Sequence, residues 1–87
     1  MTKQNKIDTL ALELEEKLFE ENGPMMFGDS LRKALGYRSG DAIRQAARRG
    51  TLPIYTFKIE SRRGRFAMTR DVAQWLACQR YSDEGNV

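Results

Sequence analysis

Two groups of arginines in this sequence are spaced so that their side chains could bind an anion together. The first group falls on a helix predicted over residues 40–49. If the apolar residues of this helix face a core, Arg44, Gln45 and Arg48 face outward. Arginine can form paired hydrogen bonds with O6 and N7 of guanine, and glutamine can form an equivalent pair with adenine. These side chains therefore have the chemistry to read base edges in the major groove of duplex DNA.

The two ends of the same helix carry residues suited to phosphate. Ser39 and Gly40 are small, so a phosphate could approach the helix N-terminus and accept from its free amides. Ser39 is also the predicted N-cap, and Asp41 is expected to stabilise the first turn rather than to touch DNA. Arg49 could reach a phosphate or shield the C-terminus of its own helix, and the sequence leaves both roles open.

The second group of arginines surrounds Gly64 at a predicted hairpin tip. Arg62, Arg63 and Arg65 are costly to place together unless an anion compensates their charge. A wing that enters the minor groove would supply that anion, because a narrow groove has an enhanced negative potential. Lys58 could add a phosphate contact from the preceding strand. The alternative is a charged tip that only keeps a sheet edge from pairing with other chains.

Four residues on and after a shorter predicted helix could bind the DNA backbone: Arg32, Lys33, Tyr37 and Arg38. In helix-turn-helix proteins the first helix crosses the backbone, and such contacts fix the register without reading sequence. For Arg32 and Lys33 an ordinary solvated surface is an equally good interpretation. The aromatic residues Tyr37, Tyr55, Phe57, Phe66 and Trp75 are spaced like core residues, although the Tyr37 hydroxyl could also reach a phosphate.

The predicted elements form a scaffold for both arginine groups. Apolar spacing and cap residues predict helices over 5–21, from Asp29 or Ser30 to Gly36, over 40–49, and from a Thr69 cap to about Arg80. A strand over Ile54–Ile59 is expected to return through 66–68 around the arginine-rich tip. The expected fold class is α+β, mostly α: a winged helix-turn-helix with a two-stranded β-hairpin wing and an extra N-terminal helix.

The N-terminal helix differs in charge from the rest of the chain. Residues 1–30 hold three lysines against seven acids, and residues 31–80 hold twelve Lys or Arg against three acids. Three segments follow: an acidic arm over 1–24, a DNA-binding domain over 25–80 and a polar tail over 81–87. The arm carries a narrow apolar stripe, like a coiled-coil seam, formed by Ile7, Leu10, Leu14 and Leu18. It could pair with a partner or a second copy, or fold back on its own domain.

Composition argues against several other classes of protein. The 87 residues include one cysteine, Cys78, and no histidine. The usual Cys/His zinc sites and the commonest general base are therefore missing, so we expect no enzyme, metal, cofactor or small-molecule substrate. The chain has no apolar run long enough for a membrane span and begins with polar residues, which favours a cytoplasmic protein.

Three stretches of the chain resemble the excisionase and AlpA-type family of small phage and plasmid regulators. They are Leu35-Gly36-Tyr37-Arg38-Ser39, Arg49-Gly50-Thr51-Leu52-Pro53 and Asp71-Val72-Ala73-Gln74-Trp75-Leu76. The resemblance covers about residues 26–77, and the family shares its winged-helix core with MerR-type DNA-binding domains. It implies that the second helix of the pair enters the major groove and that the hairpin tip touches an adjacent groove. The acidic arm departs from the family pattern.

Together these features predict a sequence-specific protein that binds double-stranded DNA. It would be a mobile-element transcription regulator or an excisionase-type recombination directionality factor, and the residues do not choose between these. The protein could also act as a homo-oligomer. The alternative is an adaptor whose acidic N-terminal helix docks a recombinase or a polymerase, with the basic body incidental.

Overall fold

The computed structural model describes residues 2–82, which form four helices and one two-stranded antiparallel sheet. In chain order the elements are α1 (Lys3–Asn22), β1 (Met25–Phe27), α2 (Gly28–Leu35), α3 (Gly40–Arg49), β2 (Phe66–Met68) and α4 (Thr69–Ser82). The expected α+β class with a helical majority is confirmed. The polar tail is predicted to start at residue 81, but the structure continues α4 to Ser82. Residues 83–87 of the predicted tail lie outside the described part of the chain.

The first helix, α1, folds back on the last helix, α4. It is capped by Thr2, whose hydroxyl oxygen accepts from the Asn5 amide at 3.2 Å. Its stripe buries Ile7 and, beside it, Ala11 against Ala77 of α4. Leu10 and Leu14 pack around this cluster, and Leu18 packs against the neighbouring core cluster. Of the two roles that the sequence left open for this stripe, the structure shows folding back on the chain's own domain, with Ile7 and Ala11 packed against α4.

The main core lies between the small sheet and the helices α2 and α4. Its buried residues are Met26, Leu31, Leu35, Ala67 and Val72, and Ile43 of α3 and Trp75 of α4 pack against them. Thr69, predicted as the cap of α4, is instead its first residue and is buried. Its hydroxyl donates to the Gly23 carbonyl at 2.6 Å, and its amide donates to the Pro24 carbonyl at 2.9 Å. These bonds tie the start of α4 to the turn that follows α1.

The sheet differs from the predicted hairpin. β2 pairs with β1, in the register Met25↔Met68, Met26↔Ala67 and Phe27↔Phe66. The segment predicted as the strand Ile54–Ile59 makes only one bridge, between Phe57 and Phe66. Phe57 and Phe66 exchange both backbone hydrogen bonds, at 2.9 and 2.8 Å, and the Thr56 carbonyl accepts from the Arg65 side chain. β1 itself has three residues, too few to show a strand period in the sequence.

The two short helices α2 and α3 are joined by a four-residue connection, residues 36–39. Gly36 ends α2 in the left-handed conformation, with φ +83°. Ser39 caps α3 as predicted, since its hydroxyl oxygen accepts from the Ala42 amide at 3.1 Å. The N-cap predicted for α2 is wrong, because α2 begins at Gly28 with no side-chain cap and Asp29 lies in its first turn. Within residues 2–82, no helix combines the length and the apolar character that crossing a membrane requires.

Candidate nucleic-acid interface

The outer face of α3 carries the polar and basic residues that its spacing predicts. Ala46 is buried, whereas Arg44, Gln45, Arg48 and Arg49 are exposed. The last three line one shallow surface. The helix is fixed at both ends, by the Ser39 cap and by Gly50 in the left-handed conformation. The exposed side chains therefore project from a short, well-anchored rod.

Arg44 forms an ion pair with Asp41, three residues earlier on α3. Both side chains are largely exposed, so the pair orients the guanidinium rather than burying it. Nη1 of Arg44 also lies 3.2 Å from the point that a Cβ on Gly40 would occupy. The arginine thus lies over the N-terminal turn of its own helix. The sequence predicts only that Asp41 stabilises that turn. Its position three residues before Arg44 could also have indicated the ion pair.

The segment from residue 58 to residue 65 lies beside α3. Arg63, Gly64 and Arg65 line a concave surface together with Gly40 and Arg44 of α3. Next to it, Lys58, Gly64 and Arg65 line a second surface with Arg44 and Arg48. The two arginine groups, separate in the sequence, are thereby joined. We call their shared surface the basic surface: Arg44, Arg48, Lys58, Arg63 and Arg65.

The bend of the 58–65 segment is a tight turn with a strained residue. The Arg62 amide donates to the Ile59 carbonyl at 3.0 Å. Ser61 has φ +67°, the left-handed conformation that L-residues adopt at a cost. Gly64 takes φ +85°, the positive φ predicted for the tip. Arg62 and Arg63 are exposed and extend the positive charge to the outer edge of this bend.

Arg65 lies at the base of the segment rather than at its tip. Its Nε donates to the Thr56 hydroxyl at 3.0 Å, and its Nη2 donates to the Thr56 carbonyl at 3.3 Å. Thr56 is itself buried. The Arg65 guanidinium therefore links the end of the 58–65 segment to Thr56, which lies just before its start. Arg65, predicted to contact DNA from the tip, thus uses two of its donors inside the protein while still lining the basic surface.

Arg32 also has an internal role that the sequence did not indicate. Its side chain is 20% exposed, and its Nε contacts Asp29 at 3.4 Å. Its Nη1 donates to the carbonyls of Tyr37 and Arg38 in the connection before α3. Arg32, predicted to contact the DNA backbone, thus also ties down the α2–α3 connection. Lys33 and Arg38 are exposed, and Tyr37 packs half-buried against the core.

Comparison of the chain with protein-family models, with curated proteins and with solved structures finds no match. The chemistry of the basic surface therefore follows from its own residues. Guanidinium and ammonium groups are donors only, so this surface selects ligands rich in acceptor oxygens and nitrogens. Among residues 2–82, no group of His, Cys, Asp or Glu is arranged to hold a metal ion.

Four aromatic rings form a row that includes one ring from each strand of the sheet, and none of the four lines the two concave surfaces described above. The ring centroids of Phe27 and Phe66 are 5.1 Å apart, those of Phe66 and Phe57 are 6.3 Å apart, and those of Phe57 and Tyr55 are 6.1 Å apart. Phe66 is buried, but Tyr55 is 73% exposed and so is not the core residue that its spacing predicted. In an extended segment neighbouring side chains point to opposite sides, which separates Phe57 from Lys58.

Proposed function

We propose that this chain binds duplex DNA in a sequence-specific manner as a winged helix-turn-helix protein. In this proposal α3 enters the major groove, and the 58–65 segment is the wing that contacts the adjacent minor groove and backbone. The observation that carries the proposal is the shared basic surface, on which a recognition-type helix and an arginine-rich bend lie side by side. A scattered set of surface cations would not give this arrangement.

The dimensions and chemistry of α3 support duplex DNA over other polyanions. Its ten residues correspond to a rod about 15 Å long, and the major groove, about 12 Å wide, admits one helix. Arg44, Gln45 and Arg48 offer the donor patterns that guanine and adenine edges accept. Single-stranded nucleic acid would instead favour exposed rings among the cations, and no aromatic side chain of residues 2–82 lines the two concave parts of the basic surface.

Different residues would serve base reading and backbone binding. Arg44, held by Asp41, is the best candidate for a paired contact with guanine, because a pre-oriented guanidinium loses less freedom on binding. Phosphates would be bound by the N-terminus of α3 at Ser39 and Gly40. They would also be bound by exposed cations of α2, of the connection after it, of the C-terminus of α3 and of the wing. Those cations are Lys33, Arg38, Arg49, Lys58, Arg62 and Arg63. The Tyr37 hydroxyl would add a neutral donor to the same set.

Such a protein would act as a regulator of transcription or as an excisionase-type directionality factor, since both activities begin with occupancy of a specific DNA site. A selection from a random duplex pool would recover that site. Recovery of one preferred sequence is expected. A palindromic site would indicate a two-fold dimer, and direct repeats would indicate copies arranged head to tail. Recovery of no preferred sequence would contradict sequence-specific recognition.

The wing is tested by the salt dependence of binding. Each phosphate contact that is lost lowers the slope of log affinity against log salt by about 0.9. We expect Arg62→Ala/Arg63→Ala to weaken binding to all sequences and to lower that slope by about 2. The matched control, Lys3→Ala/Lys6→Ala, removes two cations from α1, outside the basic surface, and should leave the slope unchanged. An equal loss in both variants would contradict the assignment of the wing.

A further inference from the structure

A second surface lies on the outer side of α1, the side turned away from α4. Leu12 is 68% exposed and Phe19 is 50% exposed, although both are large apolar side chains. They line one shallow concave surface together with Glu15, Glu16 and Glu20. We call this the outer α1 surface. It does not include the stripe through Ile7 and Leu14, which α4 covers.

The apolar pair on this surface has the spacing of helix-docking anchors. Leu12 and Phe19 are seven residues apart, which places them on one side of the helix and two turns, or about 10.5 Å, from each other. An apolar helix that lies in a groove is held by anchors at this kind of spacing. The two side chains can therefore contact successive turns of one partner helix. They contribute little to α1 packing, because the buried residues of that helix lie on its other side.

The charges around the pair indicate what kind of partner fits. From Leu12 to Asn22, α1 carries five glutamates and one lysine. Within residues 2–82, none of these glutamates forms an ion pair with a cation. A second copy that used the same surface would bring glutamates against glutamates, which disfavours a symmetric dimer. A nucleic acid or an anionic membrane would be repelled for the same reason.

We propose that the outer α1 surface docks a basic amphipathic helix of a second protein. In the complex, apolar side chains of the partner cover Leu12 and Phe19, and its lysines or arginines lie against Glu15, Glu16 and Glu20. The apolar contacts supply most of the affinity, and the opposite charges set the orientation and the rate of association. This docking is independent of DNA binding, because the surface lies on α1 and shares no residue with the basic surface.

A model peptide tests the proposal directly. The probe is a labelled helix of about 18 residues, with leucines spaced three and four apart and lysines elsewhere. We expect it to bind the protein in an anisotropy titration and to shift the amide resonances of α1 around Leu12 and Phe19. Leu12→Gln/Phe19→Gln should weaken binding about tenfold, since both anchors are lost. Glutamine is a good helix former, so α1 should persist, as circular dichroism would verify.

Charge is tested by a matched pair of variants. Glu16→Gln/Glu20→Gln should weaken binding of the peptide and flatten its salt dependence. Glu13→Gln/Glu21→Gln removes the same charge from residues that do not line the surface and should change binding much less. A peptide with glutamates in place of the lysines should not bind. Duplex DNA affinity should be equal for the wild-type protein and Leu12→Gln/Phe19→Gln.

Three results would overturn the proposal. The first is peptide binding that Leu12→Gln/Phe19→Gln leaves unchanged. The second is an equal effect of the two glutamine pairs, which would mean that only the overall negative charge attracts the peptide. The third is a dimer in sedimentation equilibrium that Leu12→Gln/Phe19→Gln dissociates, because the occupant would then be a second copy of this chain.

Discussion

Nη1 of Arg32 donates to the Tyr37 carbonyl at 3.0 Å and to the Arg38 carbonyl at 3.2 Å. One side chain of α2 thereby satisfies two carbonyls of the connection that leads into α3. The orientation of α3 relative to the rest of the core depends on this connection. Arg32 is therefore a positioning residue for the proposed recognition helix, although it need not touch DNA itself.

Replacement of Arg32 should lower both stability and DNA affinity. Hydrogen bonds from charged groups contribute about 1.5–3 kcal/mol, and the partial exposure of Arg32 reduces this, so Arg32→Ala should cost about 1–2 kcal/mol in urea unfolding. Lys33→Ala, at an exposed neighbouring position, should cost less than about 0.5 kcal/mol. The salt slope of DNA binding should persist in Arg32→Ala. A fall in that slope would indicate a phosphate contact instead.

Ser61→Gly should stabilise the protein. Ser61 has φ +67°, and the left-handed conformation costs an L-residue about 1–2 kcal/mol. Glycine removes this strain, but it also makes the unfolded chain more flexible. The net gain in the free energy of unfolding should therefore be about 0.5–1 kcal/mol, measured by thermal or urea unfolding. Ser30→Gly, within α2, is the control and should destabilise by about 0.5 kcal/mol. Destabilisation by both changes would mean that the turn is not strained at Ser61.

Thr69→Val should show how strongly the start of α4 is tied to the preceding turn. The Thr69 hydroxyl is buried and donates to the Gly23 carbonyl at 2.6 Å, so valine leaves that carbonyl without its donor. The expected cost is about 1–2 kcal/mol in the free energy of unfolding. Thr51→Val is the comparison, because the Thr51 hydroxyl bond to Ala46 is longer, at 3.3 Å, and lies on an exposed residue. Its cost should be clearly smaller.

Asp41→Asn should separate affinity from specificity if α3 reads DNA. The ion pair orients Arg44, and the carboxylate also repels nearby phosphates. Its removal should tighten binding to random duplexes by a few-fold and lower the ratio of specific to non-specific affinity by about tenfold, the loss of one well-placed contact. Both constants must be measured at the same salt concentration. An unchanged ratio would mean that Asp41 does not position Arg44 for base reading.

Local chemistry made the helices predictable. Apolar spacing identifies α1 and α4, and the Ser39 and Gly50 caps delimit α3 because each cap acts within a few residues of the chain. The exposed face of α3 follows from the same spacing. The sequence could not show that Arg65 reaches Thr56 or that β1 pairs with β2. Those contacts join distant segments, and a three-residue strand leaves no periodic pattern.

The closure of the fold by elements from its two ends has a consequence for biosynthesis. Met26 pairs with Ala67 of β2, and Ile7 packs with Ala77 of α4, so β1 finds its partner only after β2 has left the ribosome, and α1 only after α4 has. Until then α2, α3 and the arginine-rich bend form a nascent chain without a complete core. The surface proposed to read DNA can therefore be assembled only after translation has passed α4.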